Sequence, residues 1–365
     1  MSNYAVIMAG GSGTRFWPKG TTKLPKQFLK ISHDTDTMLQ ATFRRIQDVF
    51  RSEHVFVVTN ALHKGEVRKQ LPQLPENNII TEPVGRNTAP CIGLAGLFIK
   101  QFDEKANILV LASDHLIKDE KEFHRVIKNG LNFVKENGGI VTLGINPTGP
   151  ETGYGYIQFE QDNFQEIDEE KGITERIYKV RTFAEKPDLE MAKKFLESGD
   201  FLWNSGMFIF RLDTMMEEMK RSMPDLYKSL EVLEGKMMSK DFNKVLHEVY
   251  HKIKSVSIDY GVMEKSANVH TIKSDFGWND VGAWDEVYNI SEKNGNGNVV
   301  KGPSKTIDSN NNMIISEGKF TALIGVEDLL VVDTEHGLLI CKRGESQKVK
   351  EIVDHLKKNN LEQYL

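Results

Sequence analysis

The chain has 365 residues, with 47 Lys and Arg against 52 Asp and Glu, and 39% of its residues are apolar. A net charge of −5 argues against a nucleic-acid-binding protein, since such proteins are usually basic. Cys91 and Cys341 are too few for a secreted disulfide framework and lack the paired spacing of a zinc site. The longest apolar runs have the length of strands, well short of a membrane helix. We therefore expect a cytoplasmic protein that binds neither nucleic acid nor membrane.

The first half of the chain alternates short apolar runs with longer amphipathic stretches, a pattern typical of strand–helix units around a parallel sheet. Apolar residues at helical spacing predict helices at 37–50 and 88–102. The short runs predict strands at 4–8, 54–59, 78–81, 108–112 and 140–144.

The middle of the chain, from 154 to 211, shows the alternation of strands, interrupted by a polar insert at 162–172 that we expect to be a solvated loop. Helices are predicted at 189–198, 214–221 and 241–252, and strands at 256–263 and 269–272.

After a break at 294–298, the sequence pattern predicts short strands separated by Gly, Asn and Asp. A helix is predicted at 349–356. The spacing suits a short β-helix or a small sandwich and does not decide between them. We therefore predict two domains, 1–293 and 294–365. The predicted strands of the second domain are 299–302, 305–307, 313–316, 320–324, 329–333 and 338–342.

The strongest local signal is MAGGSGTRFWPKGTTKLPKQF, residues 8–28, which follows the first predicted strand. Glycines at the carboxyl end of such a strand let main-chain N–H groups approach an anion closely. Phe16 stands where a dinucleotide fingerprint needs Gly or Ala, and no Gly-Lys follows at the spacing of a Walker loop. The segment therefore suggests a phosphate site of another kind and nearly excludes a nicotinamide dehydrogenase.

The charges of this segment strengthen the phosphate interpretation, because cations follow one another with no Asp or Glu between residues 15 and 30. In an acidic protein they form a local cationic field, and Arg and Lys both bind phosphate well on a rigid loop. A solvated basic loop is the alternative. The cations are Arg15, Lys19, Lys23, Lys26 and Lys30.

Two acids are candidates for a metal site. Asp114 follows a buried predicted strand, and Mg²⁺ usually takes one or two carboxylates and fills its shell with water and phosphates. We expect the adjacent His115 to be a hydrogen-bonding neighbour. Asp280 stands among aromatic residues, and it is either a metal ligand or the N-cap of a helix at 281–290. The residues alone leave both roles of Asp280 open.

These segments resemble the sugar-nucleotide pyrophosphorylases, and among them the mannose-1-phosphate guanylyltransferases. The resemblance implies an α/β fold: a Rossmann-like nucleotidyltransferase domain with a mixed, mainly parallel sheet in 1–293, then a small β-helix-like domain with a terminal helix in 294–365. The matching stretches run in the family's order: GGSGTRFWP, PKQF, EPVGRNTAP, ASDH, PETGYGYI, FAEKP, WNSGMF, SIDYGVMEK and WNDVGAW.

The resemblance also implies site residues. Arg15, Lys26, Asp114 and Asp280 would be catalytic, and the two aspartates would hold Mg²⁺, which favours the metal role for Asp280. The GTP-binding set would be Gly10, Gly11, Ser12, Gly13, Thr14, Glu82, Arg86, Asn87, Thr88 and Ser113. The set binding mannose 1-phosphate would be Gly153, Tyr154, Gly155, Glu185, Lys186 and Asn204.

The implied reaction is transfer of GMP from GTP to α-D-mannose 1-phosphate, with Mg²⁺ as cofactor and without a covalent enzyme intermediate. The nucleophile is already an anion, so the chemistry needs no general base. Relaxed sugar choice, such as glucose 1-phosphate, is one alternative, since the sugars differ in one hydroxyl. A silent regulatory homologue that binds GDP-mannose is another, and the four intact charged residues disfavour it.

Departures from the family pattern are few: PKGTTK replaces a common Ser-Arg pair after Trp17, and Asn279 stands where Ser is common. Long relatives add a cupin-like isomerase domain, and without one we expect a single activity. By analogy, the C-terminal domain is a candidate interface for a homodimer.

Overall fold

The computed structural model describes residues 1–11, 13–31, 35–168 and 174–365, so Ser12, a predicted nucleotide contact, lies outside the described residues. The chain forms two compact units. The domain boundary between residues 293 and 294 stays a prediction. Unit 1 comprises Met1–Gly10, Phe43–Ser113 and Ile117–Trp278, and unit 2 comprises Gly11–Thr42, Asp114–Leu116 and Asn279–Leu365.

The regular elements of the described residues follow most of the predicted segments. The helices are α1 (Met38–Ile46), α2 (Lys64–Gln70), α3 (Thr88–Lys100), α4 (Glu120–Asn137), α5 (Leu189–Ser198), α6 (Leu212–Ser222), α7 (Pro224–Glu234), α8 (Phe242–Lys252), α9 (Trp284–Ile290) and α10 (Val349–Lys358). The strands are β1 (Asn3–Met8), β2 (Val55–Asn60), β3 (Ile79–Glu82), β4 (Asn107–Ala112), β5 (Ile140–Ile145), β6 (Gly155–Asp168), β7 (Thr174–Glu185), β8 (Phe201–Arg211), β9 (Val269–Ser274), β10 (Val299–Lys301), β11 (Ser304–Ile307), β12 (Met313–Ser316), β13 (Thr321–Ile324), β14 (Leu329–Asp333) and β15 (Leu338–Lys342).

Unit 1 is built on one sheet in the order β3-β2-β1-β4-β8-β5-β9-β7-β6. Strands β7 and β8 run antiparallel to their neighbours, and the other described strands of this sheet share one direction. The sheet is therefore mixed and mainly parallel, as predicted. Strands β1, β3 and β4 end at the same edge, which is where open α/β sheets bind ligands.

Buried apolar strands and helices explain this arrangement. Strands β2 and β4 are buried almost throughout, as expected for central strands covered on both faces. Helix α3 is apolar over most of its surface and packs in the same core. Helix α4 fills the gap between the strands predicted at 108–112 and 140–144, where a helix was expected without stated bounds, and the side chain of its N-cap residue Asp119 accepts the Glu122 N–H at 3.0 Å. Among the described helices, not one combines the length and apolar character that a bilayer crossing requires.

The predicted strand at 256–263 is wrong. Residues Asp259–Met263 form one π-helical turn, and the Ile258 N–H donates to the Thr88 side chain instead of to a neighbouring strand. Ile258, Val262 and Met263 are buried, and a short buried apolar run cannot be assigned to strand or helix from periodicity alone.

The predicted loop at 162–172 is wrong in its first part, because β6 continues to residue 168. Phe164 pairs with Tyr178 of β7, and Arg176 contacts both the Glu166 carboxylate and the Phe164 ring. Cross-strand aromatic and charge pairs stabilise an exposed ribbon in spite of its polar sequence. Residues 169–172 of the predicted loop lie outside the described residues.

The C-terminal strands of unit 2 form a β-helix, which settles the choice that the sequence left open. Val299 of β10 pairs in parallel with Met313 of β12, and Met313 pairs in parallel with Leu330 of β14. Strands β11 and β13 form a second parallel ladder. Parallel stacking of strands from successive turns of the chain is the geometry of coils, whereas a sandwich of sequential strands would be antiparallel.

One apolar core holds unit 2 together. Phe16 and Trp17, from the segment after the glycine turn, pack in the same cluster as Trp284 of α9. Buried residues of β10, β12, β14 and α10 belong to that cluster as well. The glycine-turn segment and the β-helix therefore share a core, although some 280 residues separate them in the chain.

Candidate active site

The glycine turn of unit 2 is shaped to bring its main chain against Lys26. Gly13 has a φ of 56°, in the left-handed region that favours glycine. A Cβ atom there would lie 2.5 Å from the main-chain nitrogen of Lys26, so no side chain fits. The Gln27 Nε2 atom donates to the Gly11 carbonyl at 3.0 Å. The turn is a well-held main-chain surface of the kind that binds phosphate.

The ammonium group of Lys26 contacts both predicted metal-binding aspartates. Its Nζ atom donates to the main-chain carbonyl of Asp280 at 2.6 Å and lies 3.1 Å from Asp114 Oδ2. Lys26 is only 5% exposed, and a buried cation is tolerated only with such partners. Arg15, the fourth predicted catalytic residue, lies in the short helical turn Thr14–Phe16 with an exposed side chain.

Opposing effects act on the Asp114 carboxyl group. Burial favours its neutral form, but the positive charge of Lys26, the neighbouring His115 and the hydrogen bond from Lys26 together lower its pKa below the ordinary value. Asp114 therefore stays ionised near neutral pH.

The donor set of this cluster fits a small divalent cation. Carboxylates suit Mg²⁺, which keeps few protein ligands and takes the rest from water and substrate phosphates. Within the described ranges, no group of three or more His, Cys, Asp or Glu side chains could hold a metal ion by itself. Asp114 and Asp280 thus fit an ion that binds together with phosphate rather than in a cage made by protein alone.

Asn279 ties the segment before α9 to the segment after β4. Its main chain exchanges two hydrogen bonds with Leu116, at 2.9 and 3.0 Å. Its Oδ1 atom accepts from the Val281 N–H at 2.6 Å, and its Nδ2 atom donates to Glu286 at 3.1 Å. Val281 has a φ of 48°, a strained conformation for a β-branched residue, and the hydrogen bond that its N–H donates to Asn279 helps to stabilise it. The sequence analysis noted Asn279 only as a departure from relatives.

In unit 1, the carboxyl group of Glu82 is buried at the end of β3. It is 5% exposed, and its Oε1 atom has no hydrogen-bond partner among the residues that the structure describes. Burial raises the pKa of Glu82 to about 7, and the Tyr250 hydroxyl offsets only part of the rise. A Cβ atom on Gly10 would lie 3.9 Å from Glu82 Oε2. A buried acid with an unpaired acceptor atom beside a glycine turn indicates a ligand that donates hydrogen bonds.

The segment after β3 is anchored to α8. The Arg86 guanidinium donates to the carbonyls of Tyr250 at 2.8 Å and His251 at 2.9 Å, in the last turn of that helix. These carbonyls have no partner within the helix, so Arg86 satisfies them. Asn87 has a φ of 70°, and its side chain accepts the Thr88 N–H at the start of α3. Arg86 was predicted to contact nucleotide, and here its guanidinium bonds to protein main chain.

A second polar cluster of unit 1 contains Asp259, which the sequence analysis did not name as a candidate site residue. Asn204 Nδ2 donates to Asp259 Oδ1 at 2.8 Å. Burial raises the pKa of Asp259, the Asn204 hydrogen bond opposes the rise, and the charge of Glu185 adds to it. The preceding Ile258 N–H donates to Thr88 Oγ1 at 2.8 Å, which joins the predicted nucleotide segment to this cluster. The available signal was the position of Asp259 in SIDYGVMEK.

Three predicted sugar-phosphate residues meet in this cluster. A Cβ atom on Gly155 would lie 2.5 Å from Glu185 Oε2 and 3.4 Å from Asn204 Cβ, so a side chain there would displace the Glu185 carboxylate. Glu185 also forms an ion pair with Lys186, which has a φ of 47°. The structure thus brings Gly155, Glu185 and Asn204 together, with Lys186 beside them.

Aromatic rings border the turn before β6. The Tyr154 ring lies 5.1 Å from the Trp203 ring and 5.1 Å from the Trp278 ring, edge-on in both pairs. Gly153, one residue earlier, is exposed. Tyr154 is therefore packed against two other rings, whereas Gly153 is exposed to solvent.

The predicted site residues divide between the two units, and their contacts with substrates stay predictions. Unit 2 contains Gly11, Gly13, Thr14, Arg15, Lys26, Asp114 and Asp280. Unit 1 contains Gly10, Glu82, Arg86, Asn87, Thr88, Ser113, Gly153, Tyr154, Gly155, Glu185, Lys186 and Asn204.

Known protein families match both parts of the chain. The nucleotidyl transferase family model matches residues 4–296, and the MannoseP isomerase/GMP-like beta-helix domain model matches residues 302–356. The mixed sheet and the glycine turn with its lysine and acids are thus those of a nucleotidyltransferase.

Comparison with individual relatives identifies a narrower family within the nucleotidyltransferases. A mannose-1-phosphate guanylyltransferase of Salmonella montevideo is 40% identical over 363 residues, which cover 99% of this chain and 75% of the relative. One from Escherichia coli strain K12 is 40% identical over 97% of this chain and 73% of its own. A crystal structure described as mannose-1-phosphate geranyltransferase from Thermus thermophilus has a TM-score of 0.85 at 29% identity, covering 98% of this chain and 100% of that one. The chain belongs to the mannose-1-phosphate guanylyltransferase family, and the resemblance seen in its motifs is confirmed.

The orphaned carboxyl group of Glu82 predicts a pH-dependent stability. Between the ordinary pKa of about 4.5 and the folded value of about 7, the unfolded chain releases a proton that the folded protein keeps, so the free energy of unfolding falls by about 3 kcal/mol as pH rises. Glu82→Gln has no such proton to release. Urea unfolding at pH 5, 6, 7 and 8 should therefore show wild type losing stability relative to Glu82→Gln as pH rises. The exposed Glu136→Gln is the control, and parallel curves for wild type and Glu82→Gln would contradict the prediction.

The side chain of Asn279 gives a second prediction. Asn279→Ala removes the acceptor for the Val281 N–H and should lower the free energy of unfolding by about 1–2 kcal/mol. It should also raise the divalent-ion concentration needed for half-maximal activation, because Asp280 lies between these two residues. Asn279→Ser keeps an acceptor on a shorter side chain. It should therefore lose less stability than Asn279→Ala, and its half-maximal divalent-ion concentration should rise less. Urea unfolding and metal titration are the measurements, and equal behaviour of the two variants would refute the role of the hydrogen bond.

Proposed function

We propose that the protein transfers GMP from GTP to α-D-mannose 1-phosphate, forming GDP-mannose and pyrophosphate. Membership of the family supports nucleotidyl transfer. The observation that carries the proposal is a single buried lysine that contacts both Asp114 and Asp280, next to a glycine turn shaped for phosphate. Such a cluster suits a reaction between two polyanions, in which the main obstacle is charge repulsion.

The proposed reaction is an in-line substitution at the α-phosphorus of GTP. A phosphate oxygen of mannose 1-phosphate forms the new P–O bond, while the bond from the α-phosphorus to the oxygen bridging to the β-phosphate breaks and pyrophosphate leaves with that electron pair. The attacking oxygen is already an anion, so the protein moves no proton. The chain's contribution is to hold the reactants in line and to offset their charges.

Charge neutralisation falls to the cluster of unit 2. Main-chain N–H groups of the glycine turn and the exposed Arg15 would bind the triphosphate, and Lys26 would face the phosphorus under attack. Asp114 and Asp280 are the residues that would hold Mg²⁺, which when bound would supply further neutralisation of the phosphate oxygens. Asp114, ionised near neutral pH, is in the state that a metal ligand needs.

Base selection would fall to Glu82. Guanine presents N1–H and an N2 amino group, both donors, whereas the same edge of adenine has an acceptor at N1. The unpaired Oε1 atom of Glu82 is an acceptor suited to the guanine donors. An unsatisfied buried acceptor costs about 1–3 kcal/mol, so satisfying it favours guanine over adenine by roughly ten- to a hundredfold.

Sugar selection would fall to the cluster around Asn204. Glu185 and Asn204 would accept and donate hydrogen bonds to mannose hydroxyls, Asp259 would orient the Asn204 amide, and Lys186 would meet the sugar phosphate. Because glucose differs from mannose in one hydroxyl, discrimination at this site is modest, and glucose 1-phosphate is the first competing substrate to test.

Two expectations from the sequence remain part of the proposal: that the protein works in the cytoplasm, and that a homodimer forms through the C-terminal domain. The cytoplasmic location is supported by the small soluble substrates of the family. The homodimer rests on analogy.

The proposed reaction predicts a specific substrate pair. Purified protein with Mg²⁺, GTP and mannose 1-phosphate should release pyrophosphate, and ATP, UTP or dTTP in place of GTP should give rates at least about tenfold lower. Equal rates with glucose 1-phosphate would support the relaxed guanylyltransferase instead. Release with none of the pairs, in a protein that binds GDP-mannose, would contradict catalysis and favour a regulatory homologue.

Asp114→Asn and Asp280→Asn test the metal-binding assignment. Each removes one negative charge at nearly constant shape, and each should lower kcat by about a hundredfold or more, the range seen when a group that stabilises charge in a transition state is lost. The exposed Asp308, also in unit 2, provides the control variant Asp308→Asn, which should keep the wild-type rate. A near-normal rate for either test variant would remove that residue from the proposed site.

A further inference from the structure

We propose that Trp17 is a positioning residue for the nucleotide-binding turn, and that the C-terminal part of unit 2 holds Trp17 in place. The inference rests on the proposed function, because that function gives Arg15 and Lys26 their role in binding phosphate. Two groups do the holding: Gly337, in the turn between β14 and β15, and the main-chain carbonyl of Tyr364. We call them the C-terminal brace.

Trp17 is bound through both its side chain and its main chain. Its indole Nε1 donates to the carbonyl of Tyr364 at 2.7 Å, and its own carbonyl accepts from Trp284 Nε1 at 3.1 Å. Trp17 is only 8% exposed, so these bonds form where water cannot readily replace them. Ring and main chain of Trp17 therefore have one well-defined position.

Gly337 provides the space that the indole needs. A Cβ atom there would lie 2.7 Å from Cζ2 and 3.0 Å from Cη2 of Trp17. The φ angle of Gly337 is outside the left-handed region, so its backbone conformation is open to other residues. The described atoms nearest to such a Cβ atom belong to the Trp17 ring and to its neighbour Pro18.

The contact between Lys19 and Glu317, at 2.9 Å, joins the same segment to the residue after β12. Both side chains are partly exposed, and an ion pair of this kind contributes little. The buried contacts of Trp17 therefore contribute more than this ion pair to holding the segment in place.

The held segment leads directly to the phosphate-binding cations. Phe16 packs edge-on against Trp284 with ring centroids 5.1 Å apart, and Lys26 Nζ lies 5.6 Å from the centre of the Phe16 ring. Arg15 precedes Phe16 in the same short helical turn. A displacement of Trp17 is thus passed to both cations, and small displacements of charged groups weaken the binding of a phosphate chain.

Trp17→Phe tests the indole bond, because it keeps an aromatic ring and removes the N–H group. KM for GTP should rise about 2- to 10-fold, the range of one hydrogen bond, and the affinity for GTP measured by calorimetry should fall by a similar factor. KM for mannose 1-phosphate should stay at the wild-type value, since the residues proposed to bind it belong to unit 1. Urea unfolding of each variant gives its stability. Equal rises in both KM values, or an unchanged KM for GTP, would overturn the proposal.

Gly337→Ala tests the other half of the brace. Alone it should raise KM for GTP, whereas in the Trp17→Phe background it should add less than about twofold, because the smaller ring leaves room for the methyl group. Additive effects of the two changes would show that Gly337 acts without Trp17 and would overturn the brace. Tyr364→Ala is the control for the carbonyl contact, because it removes a half-exposed ring and keeps the acceptor, so KM for GTP should not change.

The same measurements separate this inference from the proposed function. If wild type turns over GTP and mannose 1-phosphate but Trp17→Phe keeps the wild-type KM and affinity for GTP, the positioning role is refuted and the function stands. If wild type turns over no substrate pair but Trp17→Phe loses affinity for GTP, the reaction is refuted and the positioning of bound nucleotide stands.

Discussion

The need to balance the buried positive charge of Lys26 is the constraint that organises unit 2. A cation that is 5% exposed must be balanced by partners in direct contact, and Lys26 finds them in the Asp114 carboxylate and the Asp280 carbonyl. These three residues come from distant parts of the chain, so the charge requirement holds three segments together. The same requirement leaves the Asp114 carboxylate ionised, and an ionised acid beside a cation is what a phosphate-transfer site needs.

Unfavourable backbone conformations mark where the chain is bent to meet this requirement. Gly13 adopts a left-handed conformation that allows contact with Lys26, and Val281 adopts one in spite of its branched side chain. Such conformations persist only where surrounding contacts compensate for them. For Val281, the hydrogen bond that its N–H donates to Asn279 and its packing in the core of unit 2 supply that compensation. The strained conformation of Val281 therefore lies directly beside Asp280 in the chain.

Two acids of unit 1 have raised pKa values, whereas the pKa of Asp114 in unit 2 is lowered. Burial raises the pKa of the buried Glu82 and of the half-buried Asp259, and at Asp259 the charge of Lys186 opposes this rise. Neighbouring hydrogen-bond donors, the Tyr250 hydroxyl and the Asn204 amide, offset only part of this effect. Acids of this kind suit neutral hydrogen-bond donors, such as base edges and sugar hydroxyls, whereas the proposed phosphate site of unit 2 requires full charges.

The sequence by itself determined which segments form most of the strands and helices, and which motifs indicate the family. Period-two and helical patterns predicted most strands and helices to within a few residues, because burial of one face imposes those periods, and ordered motifs indicated the family. What the local pattern could not decide was set by partners far away in the chain. The run at 256–263 forms a helical turn because Thr88 takes the hydrogen bond of Ile258, and the ribbon at 162–168 is a strand because Tyr178 and Arg176 pair across it. Asp259 bonds to Asn204 and Trp17 bonds to Tyr364, and only the tertiary structure brings these distant partners together. The pKa of an acid, a strained φ or a buried unpaired acceptor is visible only in three dimensions, since its energy depends on which atoms surround it.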